Sequence, residues 1–189
     1  MEEDTVVQIF KRYLESIGKS PRVKQKTAAG PDFVIEGYAY ECKGTDVDEK
    51  KLFNQLLRYA SQYLGVGLVL PYDALSLKLI WQLKAIEQFL TRDLNKVLEV
   101  YLVAETPDRG YAIRRIGSVS ALDMEMYQVL DDLAQKFASI SSIEEKERKI
   151  LEFLENMGEE LRKELKDRII KEAATCSSAW EGGTFYLQE

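Results

Sequence analysis

Pro31-Asp32-Phe33-Val34-Ile35-Glu36-Gly37-Tyr38-Ala39-Tyr40-Glu41-Cys42-Lys43-Gly44 is the stretch that decides the fold. Read as two strands joined at Glu36-Gly37, it makes a single β-hairpin. Side chains alternate faces along a strand, so Phe33 and Ile35 share one face and Asp32 takes the other. On the second strand Glu41 and Lys43 point the same way, while Tyr40 and Cys42 point to the opposite, buried side. Two acids and a lysine thereby converge at one end of the hairpin.

Two carboxylates with a backbone carbonyl give a hard-oxygen site suited to Mg2+ or Mn2+. A cation held there lowers the pKa of a bound water, and a lysine alongside orients or helps deprotonate that water and offsets charge developing on phosphorus. The plain alternative is a structural Glu41–Lys43 pair beside a surface Asp32. Charges at the end of an apolar run are costly without a partner or a metal, which favours the catalytic reading.

Pro31-Asp32 followed by Glu41-Cys42-Lys43 resembles the signature of the PD-(D/E)XK nuclease superfamily, in its RecB-like or Mrr/archaeal resolvase-like branches. The resemblance covers roughly residues 3 to 71 and rests on context as much as on the motif. Val6, Val7, Phe10, Leu14 and Ile17 recur in steps of three and four, which predicts a helix ended by Gly18. Arg22 to Thr27 predicts a strand before the hairpin. After it, Thr45-Asp46-Val47-Asp48 offers capping residues for a helix to about Leu64, with Leu52, Leu56, Tyr59 and Tyr63 at helical spacing. Gly65 to Pro71 predicts a buried strand. Helix, meander, helix and strand in this order are similar to the restriction-endonuclease-like core, so the expected class is α/β (α+β), a mixed β-sheet flanked by helices with an α-helical C-terminal extension.

The resemblance implies roles for particular residues. Asp32 and Glu41 would be metal ligands, the carbonyl of Cys42 would supply a further oxygen, and Lys43 would be the catalytic lysine. Gln55-Leu56-Leu57-Arg58-Tyr59 resembles the Gln-x-x-x-Tyr element of the RecB-like branch, which would place Gln55 near the metal and Tyr59 near the nucleic acid. Tyr59 equally fits the apolar stripe of its helix as a core residue. Relatives carry an acid on the first helix; Glu3 is the choice here, with a solvated helix-start charge as the bland reading and Gln8 as the other occupant of that position.

Composition removes other chemistries. The chain has no histidine, which excludes Ser-His-Asp hydrolases, His-metal nucleases and Cys/His zinc fingers. Two cysteines cannot complete a four-cysteine site in one chain. Cys42 reads as a small buried hydrophobe and Cys176 as a free thiol, with a disulfide between them as the alternative. No Gly-x-x-x-x-Gly-Lys-Ser/Thr loop occurs, which argues against a nucleotide-driven motor. No apolar run approaches the length of about 18 residues needed to span a membrane and the start is not secretory, so the expectation is a cytoplasmic protein with no membrane partner.

Charge is uneven along the 189 residues. Residues 1–119 carry net +1 and residues 120–189 net −7, which together give the overall −6. Lys11, Arg12, Lys19, Arg22, Lys24 and Lys26 stand against Glu15 alone, a stretch that could contact phosphates; Arg22, Lys24 and Lys26 lie nearest the hairpin. For each of these a solvated surface charge is the competing reading. The same holds for Arg109, Arg114 and Arg115.

Beyond Pro71 the pattern predicts a helix over 76–90 with Leu79, Leu83, Ile86 and Leu90 on one side, then strands over 97–104 and 111–116. From Ser120 it is helical to about Ala174. Ser120-Ala-Leu-Asp123 and Ser142-Ile-Glu-Glu145 have capping-box shapes, starting helices of about 17 and up to 30 residues. The last shows Ile150, Leu154, Met157, Leu161, Leu165 and Ile169 as a stripe, with a break expected at Gly158. The stripe needs a partner: the core, a second copy in a homodimer, or another protein. The expected organisation is a nuclease-like core over 1–119 and an acidic helical region over 120–189. The expected function is a Mg2+- or Mn2+-dependent nuclease hydrolysing DNA, with RNA as a further substrate class. The alternative is a catalytically inactive nuclease-like adaptor acting through its helical third.

Overall fold

A computed structural model describes residues 1–23, 30–175 and 184–187. It is a mixed α/β protein. Among the described residues seven strands form one sheet in sequence order: β1 (Arg22–Val23), β2 (Phe33–Ile35), β3 (Tyr38–Cys42), β4 (Gly65–Pro71), β5 (Val97–Glu105), β6 (Tyr111–Ile116) and β7 (Thr184–Leu187). The central strands β3, β4 and β5 run parallel; β1 and β2 on one side and β6 and β7 on the other join antiparallel. The part of the first predicted strand beyond Val23, with Lys24 and Lys26, lies outside the described residues, as do Cys176 and Trp180.

The hairpin forms as its sequence predicts. Glu36 and Gly37 have φ of 51° and 88°, and a tight two-residue turn with positive φ at both central positions matches the twist of the flanking strands. Phe33 pairs with Tyr40 and Ile35 with Tyr38.

Parallel neighbours require crossovers, and α2 (Glu49–Gln62) and α3 (Leu77–Asp93) supply them. Asp48 caps α2 by accepting from the Lys51 amide at 3.0 Å, and Ser76 caps α3 by accepting from that of Leu79 at 3.0 Å. Helix α1 (Glu3–Ser16) covers one face of the sheet: Val6, Ile9, Phe10 and Leu14 pack on Phe33, Tyr40, Cys42, Val69 and Val103. Helices α2, α3, α4 (Val119–Ala138) and α5 (Ile143–Thr175) cover the other, against Ala39, Val66, Leu68, Leu70, Val100 and Leu102. With layers on both sides, every residue of β4 is buried, as a central parallel strand requires.

Two sequence expectations need correction. Helix α4 is capped by Ser118, which accepts from the Ala121 amide at 3.1 Å, two residues before Ser120. Ser120 is already inside the helix because the Glu87 carboxylate on α3 takes the free amides of Val119 and Ser120 at 2.7 and 3.3 Å. The break in α5 falls at Asn156 (φ −115°, ψ 19°), where the side-chain amide donates to the Glu152 carbonyl, while Gly158 stays helical. Cys42 is a free buried thiol. The C-terminal part of the α5 stripe folds back on the core, with Leu161, Leu165 and Ile169 buried against it. No helix among the described residues is long and apolar enough to cross a membrane.

Candidate active site

The site grows from the end of β3. Its last ladder residue, Cys42, is opposite Val69 of β4, and the Lys43 amide extends the ladder by donating to the Val69 carbonyl at 3.0 Å. Alternation then sends Tyr40 and Cys42 under α1 and leaves Glu41 on the face covered by α2. That face is closed too: Glu41 is only 2 % exposed and Lys43 6 %.

A carboxylate so deep must be hydrogen-bonded. Glu41 Oε1 accepts from Lys43 Nζ at 2.6 Å and from Gln55 Nε2 at 2.5 Å, and Oε2 accepts from the Tyr59 hydroxyl at 3.1 Å. Helix α2 supplies the last two because residues four apart share a helix face. Tyr59 is therefore both a core side chain, 1 % exposed, and a partner of the site.

Asp32 sits just before β2 and reaches across the hairpin: its Oδ2 accepts from the Cys42 amide at 2.8 Å. Glu3, in the first turn of α1, brings Oε2 to 3.5 Å from Lys43 Nζ while remaining half exposed. The helix start is fixed there by the Thr45 amide donating to the Met1 carbonyl at 2.9 Å. A Cβ on Gly44 would stand 2.9 Å from the Glu3 amide nitrogen and from the Met1 oxygen, so only glycine lets α1 dock this closely. Gln8, the other residue considered for the first-helix position, is exposed.

The charges act on one another. Burial pulls the Lys43 ammonium toward deprotonation, but the hydrogen bond and charge of Glu41, with Glu3 and Asp32 behind them, outweigh it and leave the pKa above 10.5. Lys43 is therefore a protonated donor. Burial is the first cause that pushes the Cys42 thiol up, and the surrounding Asp32, Glu41 and Glu3 push it further, so it is an inert thiol. The Tyr59 phenol rises to about 12, first through burial and then through the Glu41 charge.

Asp32 and Glu41 offer carboxylate oxygens of the kind a hard divalent cation takes, and Gln55 Oε1 is a buried acceptor with no hydrogen-bond partner. Among the described residues no three acidic, cysteine or histidine side chains converge on one ion-sized point. A cation would then be held by two carboxylates and completed by neutral oxygens and water, as Mg2+ commonly is. The carbonyl of Cys42 is one such oxygen implied by the resemblance.

Elsewhere, four of the candidate phosphate contacts are occupied. Lys11 pairs with Glu15 and Lys19 with Glu36. Arg114 grips Glu125 through both terminal nitrogens at 2.9 and 2.5 Å, and Arg115 holds Glu99 at 2.5 Å. Gly44 and Arg58, which touches the Tyr59 hydroxyl at 3.3 Å, belong to the site although the sequence did not single them out. Helical spacing of three from Gln55 was the signal available for Arg58. For Gly44 there was none, because its neighbour lies more than 40 positions away.

Comparison with known proteins gives no matching family model, no matching curated protein and no matching solved structure.

Proposed function

We propose that this chain is a metal-dependent nuclease of the PD-(D/E)XK type, hydrolysing DNA phosphodiester bonds at Asp32, Glu41 and Lys43 on a restriction-endonuclease-like core. The observation that carries the reading is the buried Glu41 carboxylate, held on three sides by Lys43, Gln55 and Tyr59 beside Asp32. A purely structural ion pair gains little from such burial, because desolvation consumes most of the attraction. Bound Mg2+ or Mn2+ would supply a water of lowered pKa and a Lewis acid for a phosphate oxygen. Asp32 and Glu41 would hold the cation. Lys43, protonated, donates to a phosphoryl oxygen and balances charge as it develops there. Gln55 and Tyr59 keep the Glu41 carboxylate in one orientation.

The test is a panel of labelled DNA and RNA structures incubated with Mg2+ or Mn2+. Asp32→Ala, Glu41→Gln and Lys43→Ala are each expected to lower cleavage by at least about a hundredfold while keeping the circular dichroism of the parent. Cleavage retained by all three overturns the proposal.

A second reading, a nuclease-like adaptor, is favoured by the first half of α5. Ile143, Leu151 and Leu154 are more than half exposed there, beside an apolar groove of about 530 Å3 between α4 and α5 lined by Leu133, Phe137 and Phe153. A Mn2+ titration separates the readings: binding lost in Glu41→Gln supports the nuclease, and no binding by the parent supports the adaptor.

A further inference from the structure

One face of α2 carries Lys50, Lys51, Asn54 and Arg58, which with Asp48 and Gln55 line an open groove of about 580 Å3. The groove adjoins the buried carboxylate through two side-chain links. Gln55 donates to Glu41 at 2.5 Å, and its Oε1 is a buried acceptor without a partner. Arg58 lies over the ring of Tyr59, 5.1 Å from its centre, and donates to the Tyr59 hydroxyl at 3.3 Å, which in turn donates to Glu41 at 3.1 Å.

The charges of this groove are not compensated. Lys50, Lys51 and Arg58 have no carboxylate partner among the described residues, although the protein carries six more acids than bases. The one acid in the lining, Asp48, already accepts from the Lys51 amide as the helix cap. Several other cations are neutralised, among them Lys19 by Glu36, Lys84 by Asp123 and Arg168 by Asp132. Three unpaired cations beside a catalytic-type carboxylate are an anion-binding arrangement.

Residues 51, 54, 55 and 58 recur in steps of three and four, so they make one stripe. From Lys51 to Arg58 the helix rises about 10 Å, enough to follow about three phosphates at the axial spacing of one strand. The planar guanidinium of Arg58, stacked on Tyr59, suits bidentate contact with a phosphate.

We propose that a nucleic-acid strand lies along this face of α2, its sugar-phosphate backbone held by Lys50, Lys51 and Arg58, on the outer side of the Gln55 and Tyr59 side chains that hold Glu41. The proposal rests on the nuclease reading and adds a second set of phosphate contacts to the basic stretch before the hairpin.

The experiment measures binding of labelled single-stranded DNA and RNA of the same sequence by the full chain, by fluorescence anisotropy in EDTA across a salt series. Without divalent cation, binding is read apart from cleavage. Lys51→Ala and Arg58→Ala are each expected to weaken binding about threefold to tenfold at low salt and to flatten the salt dependence by about 0.7 in log–log slope. Lys149→Ala, on the exposed surface of α5, changes neither. The strand bound more tightly identifies the natural backbone. A parent that binds neither strand, or a Lys50→Ala/Lys51→Ala/Arg58→Ala variant that binds like the parent, overturns the proposal. If the parent cleaves while that triple variant binds unchanged, the groove fails and the nuclease reading stands. If the variants lose binding but the parent never cleaves, the nuclease reading fails and the groove stands.

Discussion

Burial of Glu41 forces its neighbours into place. Each of its oxygens has a donor, and Lys43, almost as deeply buried, has Glu41 as its nearest carboxylate. Removing Glu41 leaves an ammonium in a nearly dry site, so Glu41→Ala is expected to cost about 3–5 kcal/mol in urea unfolding. Glu3 touches the same ammonium from solvent, at 3.5 Å and half exposed, so Glu3→Ala is expected to cost less than about 1 kcal/mol. Equal losses would contradict the asymmetry. The hairpin that carries Asp32, Glu41 and Lys43 was legible in the sequence because strand alternation and turn chemistry act locally. Arg58 and Gly44 were not legible, because their roles depend on where α2 and α1 dock.

Helix α5 shows the same contrast at the scale of an element. Its apolar stripe is continuous in sequence, but Asn156 divides it: Leu161, Leu165 and Ile169 are buried, whereas Ile150 and Leu154 are 36 % and 59 % exposed. Periodicity predicts a helix with an apolar side and is silent on what covers that side. Leu165→Ala is expected to cost about 2–5 kcal/mol, and Leu154→Ala less than about 1 kcal/mol, in thermal or urea unfolding. Comparable costs would mean that the first half of α5 is also packed. Capping shows a related limit. The Ser142 and Asp48 caps were readable from local residues. The start of α4 was displaced by Glu87, a residue more than 30 positions away.

Over the whole molecule the sheet is covered on both sides, and several tyrosines are sealed in it. Tyr40, Tyr72 and Tyr101 all have phenol pKa values raised, first by burial; Glu99, which accepts from Tyr40 at 3.0 Å, adds to the rise for Tyr40 and Tyr101. With the folded pKa above the unfolded value of 10.0, the unfolded chain releases these protons first. Their contribution is therefore complete below pH 10 and lost as pH rises beyond it. Each is expected to remove up to about 1.4 kcal/mol per pH unit above 10. Urea midpoints measured from pH 8 to pH 11 check this; a constant midpoint would show that these phenols titrate normally.

By itself the sequence determined the hairpin, the strand alternation that separates Glu41 from Cys42, the helices and two of their caps, and the mixed α/β class. These follow from interactions among residues near in the chain, where turn chemistry and periodicity act directly. Only the tertiary structure decided that α1 covers one face alone while four helices cover the other, that Asn156 splits α5, and that Gln55 and Tyr59 close over Glu41 while Arg58 lines the groove outside. Those outcomes depend on which surfaces meet, and desolvation and close packing between distant segments set them.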